Sequence, residues 1–176
     1  CSSDLNVVFN KDNYFKSEFK ISKPLQWSPS TPVLYKAVFK VFMSEYLVDE
    51  YETTFGIRSF HFDAQKGFFL NNQPLKIHGV CMHHDLGALG AAFNKSAAKR
   101  QLQILKEMGC NAIRFSHNPP ASAMLDLCDE MGFLVIDEAY DIWRKKKNKY
   151  DYHQYFEEWG IKDAQAMVRR DRNHPS

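Results

Sequence analysis

The sequence predicts a mixed fold in which antiparallel pieces of a β-sandwich lead into strand–helix units of the (β/α)8 barrel type. Three observations point there. Hydrophobic residues recur with period two from Asn13 to Arg58. Beyond Val80, apolar helical faces alternate with short apolar strands, the grammar of a parallel sheet covered on both sides. Helix-to-strand connections take only a few residues, whereas the strand-to-helix loops are long and carry most of the His, Trp and carboxylate side chains of this half. A β/α barrel divides its stable and reactive ends in that way.

The elements follow in order. YFKSEFKI (14–21) alternates aromatic and polar residues and predicts a strand. The turn-rich KPLQWSPSTP (23–32) comes next, with Trp27 expected in the core. VLYKAVFKVFM (33–43) and LVDEYETTFGIR (47–58) predict two more strands about a break at Ser44–Glu45. A hairpin is expected from FHFDAQKGFFL (60–70), a turn at Asn71–Asn72, and QPLKIHGV (73–80). A helix over Lys95–Met108 presents Ala98, Leu102, Leu105 and Met108 and stops at Gly109. NAIRF (111–115) is a strand. A second helix over 121–131 presents Met124, Leu127, Cys128 and Met131 and stops at Gly132. FLVIDE (133–138) is an apolar strand closed by two carboxylates, and a third helix spans Tyr152–Asp171, with Trp159 expected in its packed face.

With 44% hydrophobic and 14% aromatic residues, the 176-residue chain can bury a core. A formal charge of +2 argues for neither a nucleic-acid surface nor an anionic membrane, and RKKK at 144–147 reads as a solvated loop. No apolar run approaches the ~20 residues of a membrane span. The four cysteines form no CxxC pair, and Cys81, Cys110 and Cys128 lie in apolar segments, which predicts buried thiols. The opening CSSDL, residues 1–5, joins no later pattern and reads as a non-native scar.

Three clusters carry the chemistry. His83, His84 and Asp85 leave the first barrel strand. They suit contact with a polyhydroxylated ligand, a structural histidine, or a metal held by His83 and Asp85, since His83 and His84 point apart. Adding His117 to that pair gives the metal-dependent hydrolase alternative. In RFSHNPP, strand alternation lets Arg114 point into the barrel mouth, followed by His117 and Asn118. A buried Arg needs a carboxylate, and one of Asp137 or Glu138 is expected to meet it at the rim. Those two are neighbours on a strand, face apart, and form no acid/base pair. Trp143 fits an aromatic wall for a sugar or a plug for the outer loop.

TTFGIR, GFFLNNQPLKIHGVCMHHDLGALGAA, NAIRFSHNPP, VIDEAYDIW and RDRNHPS, in this order and spacing, resemble glycoside hydrolase family 2, the β-galactosidase and β-glucuronidase family. The similarity runs from about Trp27 to Ser176. HHDLGALGAA with DEAYDIW most resembles β-galactosidase-like members from gut Bacteroidetes. The resemblance implies that residues 1–58 end an immunoglobulin-like β-sandwich and that 59–176 form the first third to half of a (β/α)8 TIM barrel. It implies retaining hydrolysis of terminal β-linked sugars by two Glu residues, both expected downstream of Ser176, so that this segment alone is inactive and weakly stable. His83 and His117 match positions lining the sugar, Arg114 matches the residue that orients the nucleophile, and Asp85 and Asn118 are weaker carry-overs. His84, Asp137, Glu138 and Trp143 support the rim. DIWRKK departs from the Glu-x-His magnesium motif of large bacterial β-galactosidases, so no metal or cofactor is expected. The expected partner is a β-linked oligosaccharide or glycoside. Neither nucleic acid nor membrane insertion is expected, and the resemblance suggests a periplasmic or secreted location. A non-catalytic carbohydrate-binding protein is the other alternative.

Overall fold

A computed structural model describes residues 11–176. The scar expected at residues 1–5 and the thiol of Cys1 lie outside the described residues.

Two long strands come first. β1 (Tyr35–Met43) and β2 (Tyr46–Phe55) pair antiparallel from Tyr35↔Phe55 to Met43↔Tyr46, with a bulge between Val41 and Phe42. Ser44, at a φ of +56°, turns the chain between them. Tyr35 stacks on Phe55 at 5.6 Å, and Lys36 and Lys40 pair with Glu52 and Glu50 at 2.8 and 3.1 Å. Cross-strand pairs of this kind hold such a ribbon in register. The strand expected at 14–21 is absent. Its alternation supplies an apolar face, but no described strand lies beside it to satisfy its backbone.

The run from Phe60 to Leu70 is two strands, not one. β3 (Phe60–Asp63) folds back onto β4 (Gly67–Leu70), and β4 pairs again with the short β5 (Gln73–Pro74) across the Asn71–Asn72 turn. Asp63 makes the unexpected reversal. Its Oδ1 accepts from the Gln65 and Lys66 N–H groups at 2.9 and 2.8 Å, and Gly67 takes a φ of +86°.

The second half alternates as expected. β6 (Gly79–Met82), α1 (Lys95–Glu107), β7 (Ala112–Phe115), α2 (Ser122–Met131), β8 (Leu134–Asp137) and α3 (His153–Asp171) follow in order. The three strands form a parallel sheet in register, Gly79↔Ala112↔Leu134 through Met82↔Phe115↔Asp137. Asn94 caps α1 by accepting from the Ala97 N–H at 3.0 Å, and α2 ends on Gly132 at a φ of +73°. Ala98 and Leu102 of α1 and Met124, Leu127 and Cys128 of α2 close over Ile113, Phe115 and Phe133 to make the core.

Three packing expectations are corrected. Met108 is 68% exposed because it stands past the last turn of α1, as its C-cap. Trp159 is 44% exposed on a face of α3 that no described element covers, and Lys162 Nζ lies over its ring. Cys81 is exposed because it lies on the sheet face opposite the helices, whereas Cys128 is buried beneath them.

Trp27, fully buried as expected, closes the lower end of the sheet against Ala112 and Leu134, the first residues of β7 and β8. Its indole Nε1 donates to the Asp129 carbonyl at 2.9 Å, and its own carbonyl accepts from Asn71 Nδ2. The buried Asp129 carboxylate then gathers the end of the chain. It accepts from the Ser176 N–H at 2.9 Å and from His174 Nδ1 at 2.6 Å. Ser176 in turn accepts from the Val135 N–H of β8.

Replacing Asp129 by Ala leaves the buried Ser176 N–H and the part-buried His174 ring without an acceptor, an expected loss of about 3 kcal/mol. The hydrogen bond to Asp129 raises His174 above its ordinary value of 6.5 against the effect of burial. A raised histidine contributes stability fully below 6.5, and that contribution disappears as pH rises through its folded-state value. The gap between thermal melts of parent and Asp129→Ala protein is therefore expected to be widest at acidic pH. It is expected to narrow, without closing, as pH rises through the folded-state value of His174, since the Ser176 bond is lost at every pH.

Candidate functional site

The β-pleat sorts the polar residues at the upper ends of β6, β7 and β8 onto two faces. Met82, Phe115 and Asp137 share the helix side in one register row, while Cys81, Arg114 and Ile136 form the neighbouring row on the open face. The next position on the open side of β8 is Glu138.

Arg114 is the centre of this face. Its Nε donates to Glu138 Oε1, its Nη1 lies 3.6 Å from Cys81 Sγ, and its Nη2 lies 3.4 Å from His117 Nδ1. Glu138 Oε2 lies 2.8 Å from that same His117 Nδ1. Carboxylate has no donor, so the 2.8 Å contact assigns the proton to His117 Nδ1, directed at Glu138, and the longer approach of the Arg114 guanidinium, itself donor-only, is then no hydrogen bond. In the neutral ring Nε2 is then the acceptor. The hydrogen bond from His117, and next the bond and charge of Arg114, hold the Glu138 carboxyl below its usual range against burial. Of the two carboxylates that end β8, Glu138 is the one that meets Arg114.

His83 joins this group edge-on to His117, ring centroids 5.6 Å apart at 82°. His84 faces elsewhere, with Nε2 2.8 Å from the Ala91 carbonyl, and so ties down its own loop. Asp85 turns back likewise, its Oδ1 accepting from the Gly87 N–H at 2.8 Å at the start of a tight turn over Gly87–Leu89. His83, Asp85 and His117 therefore do not converge. Among the described residues the one convergent His/carboxylate group is Asp126, Asp129 and His174, and both Asp129 oxygens there already accept hydrogen bonds within the fold. Asn118, one residue past His117, lines a separate cleft with Tyr140. Trp143 is 62% exposed and stacks on Phe156 of α3 at 5.9 Å.

Asp137 occupies the opposite environment from its neighbour. It lies beside Asp171, whose carboxylate pairs with Arg170, and its buried Oδ1 has no donor. Burial first, then the adjacent Asp171, pushes its carboxyl up to about 7.

Two participants were not singled out from sequence. Cys81 stands two residues before His83, and Ser116 two after Arg114, so the alternation that exposed the site residues includes both. The Arg114 hydrogen bond, then Ser116, lowers the Cys81 thiol, whereas burial raises Cys128.

Two outcomes follow from these shifts. Among the described cysteines, Cys81 is expected to react fastest with iodoacetamide, and Arg114→Gln to slow it, as read by peptide mass mapping. An acid raised from 3.8 to about 7 in the folded state contributes stability below 3.8 that is lost as pH climbs to about 7. Asp137→Asn is thus expected to flatten the decline in melting temperature across that interval.

Comparison with known proteins places this geometry in context. A model of the glycosyl hydrolases family 2 TIM barrel domain matches residues 63–176, and a second glycosyl hydrolases family 2 model matches residues 2–58. Beta-galactosidase BoGH2A of Bacteroides ovatus is 57% identical over 94% of this chain and 20% of its own length. A putative beta-glucuronidase of Formosa agariphila is 42% identical over 90% of this chain and 15% of its own. The crystal structure of a beta-glycosidase from Bacteroides vulgatus superposes with a TM-score of 0.84 at 45% identity, covering 88% of this chain and 20% of that one. The chain thus spans between 15% and 20% of the length of these relatives. Matched along nearly all of its residues by models of one family, this chain belongs to glycosyl hydrolases family 2.

Proposed function

We propose that the whole protein is a retaining β-galactosidase, and that this chain supplies part of its sugar-binding and orienting machinery. The network of Arg114, Glu138 and His117 at the upper strand ends, with His83 against it, carries this reading. Identity of 57% to a beta-galactosidase, against 42% to a putative beta-glucuronidase, supports galactose over glucuronic acid.

On this proposal residues 1–58 end an immunoglobulin-like sandwich and residues 59–176 open a (β/α)8 barrel. The parallel register and the long strand-to-helix loops support that division. The double displacement needs two carboxylates about 5–5.5 Å apart. Neither is assigned to a residue of this chain, and both belong to later barrel strands.

The residues in hand bind and orient. Glu138 anchors the Nε edge of Arg114, so the rest of the guanidinium presents a fixed positive charge. Such a charge favours the ionised form of a nearby nucleophilic carboxylate. Glu138 also fixes the His117 tautomer and leaves Nε2 to accept from a sugar hydroxyl, with His83 offering a second ring. Asn118 adds a contact at the edge of the sugar. Glu138 is a positioning residue in this scheme.

The test uses the full-length protein with 4-nitrophenyl β-galactoside and the matching β-glucuronide, following product configuration by NMR. Cleavage of the galactoside with the β-anomer appearing first is expected. Arg114→Ala is expected to lower kcat/KM about 100-fold, in the range of a lost charge-assisted contact in the transition state. Inversion, preference for the glucuronide, or binding of galactose without turnover would overturn the proposal.

A further inference from the structure

Cys81 gives the open face of the sheet a chemical capacity that sugar binding does not use. It lies opposite Arg114 in the register of β6 and β7, and its Sγ stands 3.6 Å from Arg114 Nη1. The thiol is exposed, whereas Cys128 is buried under the helices on the other side of the sheet. A second group points at it. Ser116 is 6% exposed, and its buried hydroxyl, which stands beside the Cys81 thiol, has no hydrogen-bond partner of normal geometry among the described residues. The Arg114 bond first, then Ser116, favours the thiolate against burial and the nearby Glu138 charge.

These two donors suit more than a thiolate. An oxygen added to Sγ would carry its negative charge between a guanidinium N–H and a serine hydroxyl, both in place before it forms. Access follows from position. Arg114 faces the proposed sugar site, and a hydroperoxide is smaller than a sugar, so an opening that admits the sugar admits the oxidant to the neighbouring Sγ. Accessible cysteines with thiolate character are the ones that oxidise to sulfenic acid. The consequence for Arg114 is direct. Glu138 already holds its Nε edge, and a sulfenate would occupy Nη1 as well. Less positive charge then remains to favour an ionised carboxylate in the sugar site.

We propose that Cys81 is an oxidation site for hydrogen peroxide, and that its sulfenate form switches the enzyme off through Arg114. The inference rests on the glycosidase reading above. The thiolate sulfur attacks one peroxide oxygen, an S–O bond forms, the O–O bond breaks, and the departing hydroxide takes a proton from solvent to become water. Sulfur loses two electrons and the peroxide gains them. Cys128 lies across the sheet and Cys110 stands before the lower end of β7, so reversal is assigned to an external thiol. One such thiol displaces the oxygen as water to give a mixed disulfide, and a second frees Cys81 as the thiol.

The test treats the reduced full-length protein with hydrogen peroxide and dimedone, which traps sulfenic acids, and maps the adduct by peptide mass spectrometry. The adduct is expected on Cys81 ahead of Cys110 and Cys128. Peroxide alone is expected to lower kcat/KM for 4-nitrophenyl β-galactoside about tenfold, and dithiothreitol to restore it to within about twofold. Each variant is read as the ratio of its treated to its untreated rate. Cys81→Ser is expected to bring that ratio close to one, and Ser116→Ala to slow adduct formation about threefold. The adduct map and rates of the unmutated protein decide the matter if a variant disturbs folding. No adduct on Cys81, an adduct that leaves kcat/KM unchanged, or an equal loss in Cys81→Ser would overturn the switch and leave the glycosidase reading intact. An untreated protein that cleaves no galactoside overturns both.

Discussion

The candidate site depends on one constraint, the in-register parallel pairing of β6, β7 and β8. Side chains on a strand alternate between faces, so register decides which residues can meet. With Cys81 opposite Arg114 and Met82 opposite Phe115, the polar set lies on the open side and the aromatic set under the helices. A slip of one residue in β8 would exchange Asp137 with Glu138. It would bring to Arg114 a carboxyl that now lies with Asp171 and remove the one that fixes His117.

The register is held from below. Gly79 faces Ala112 so closely that an added Cβ would lie 3.0 Å from the Ala112 carbonyl oxygen. Asn111 joins the lower strand ends by bonding His78 through both its backbone and its side chain, and by accepting from the Leu134 N–H. Trp27 fills the space beneath, and its indole ties the preceding segment to Asp129 of α2. The lower end thus consists of close packing and saturated hydrogen bonds. The upper end keeps exposed charge and long loops. A fold of this kind separates its stability from its chemistry along the strand axis.

Asp137 and Glu138 illustrate how little residue type says about charge. The first sits half-buried beside Asp171 and is pushed up to about 7. The second receives His117 and Arg114 and is held below its usual range. Their chemical difference comes from the faces they occupy.

Much of the fold was legible in the sequence because the signals were local. Helical periodicity with Gly109 and Gly132 as stops placed α1 and α2 within a residue or two, and alternation in NAIRF aimed Arg114 correctly. The asymmetry of loop lengths marked the strand ends where the Arg114 network gathers. Misreadings arose where a partner was needed. Residues 14–21 carry a strand pattern without a neighbouring strand, and the turn at Asp63 depends on one carboxylate oxygen that bonds two backbone groups ahead. The tertiary structure alone decided that Glu138 rather than Asp137 meets Arg114, that Asp85 and His84 serve their own loop, and that Tyr140, Tyr152 and Asp163 enclose a cleft. Periodicity records which way a side chain points from its own strand or helix, whereas a site is made by what arrives from the next one.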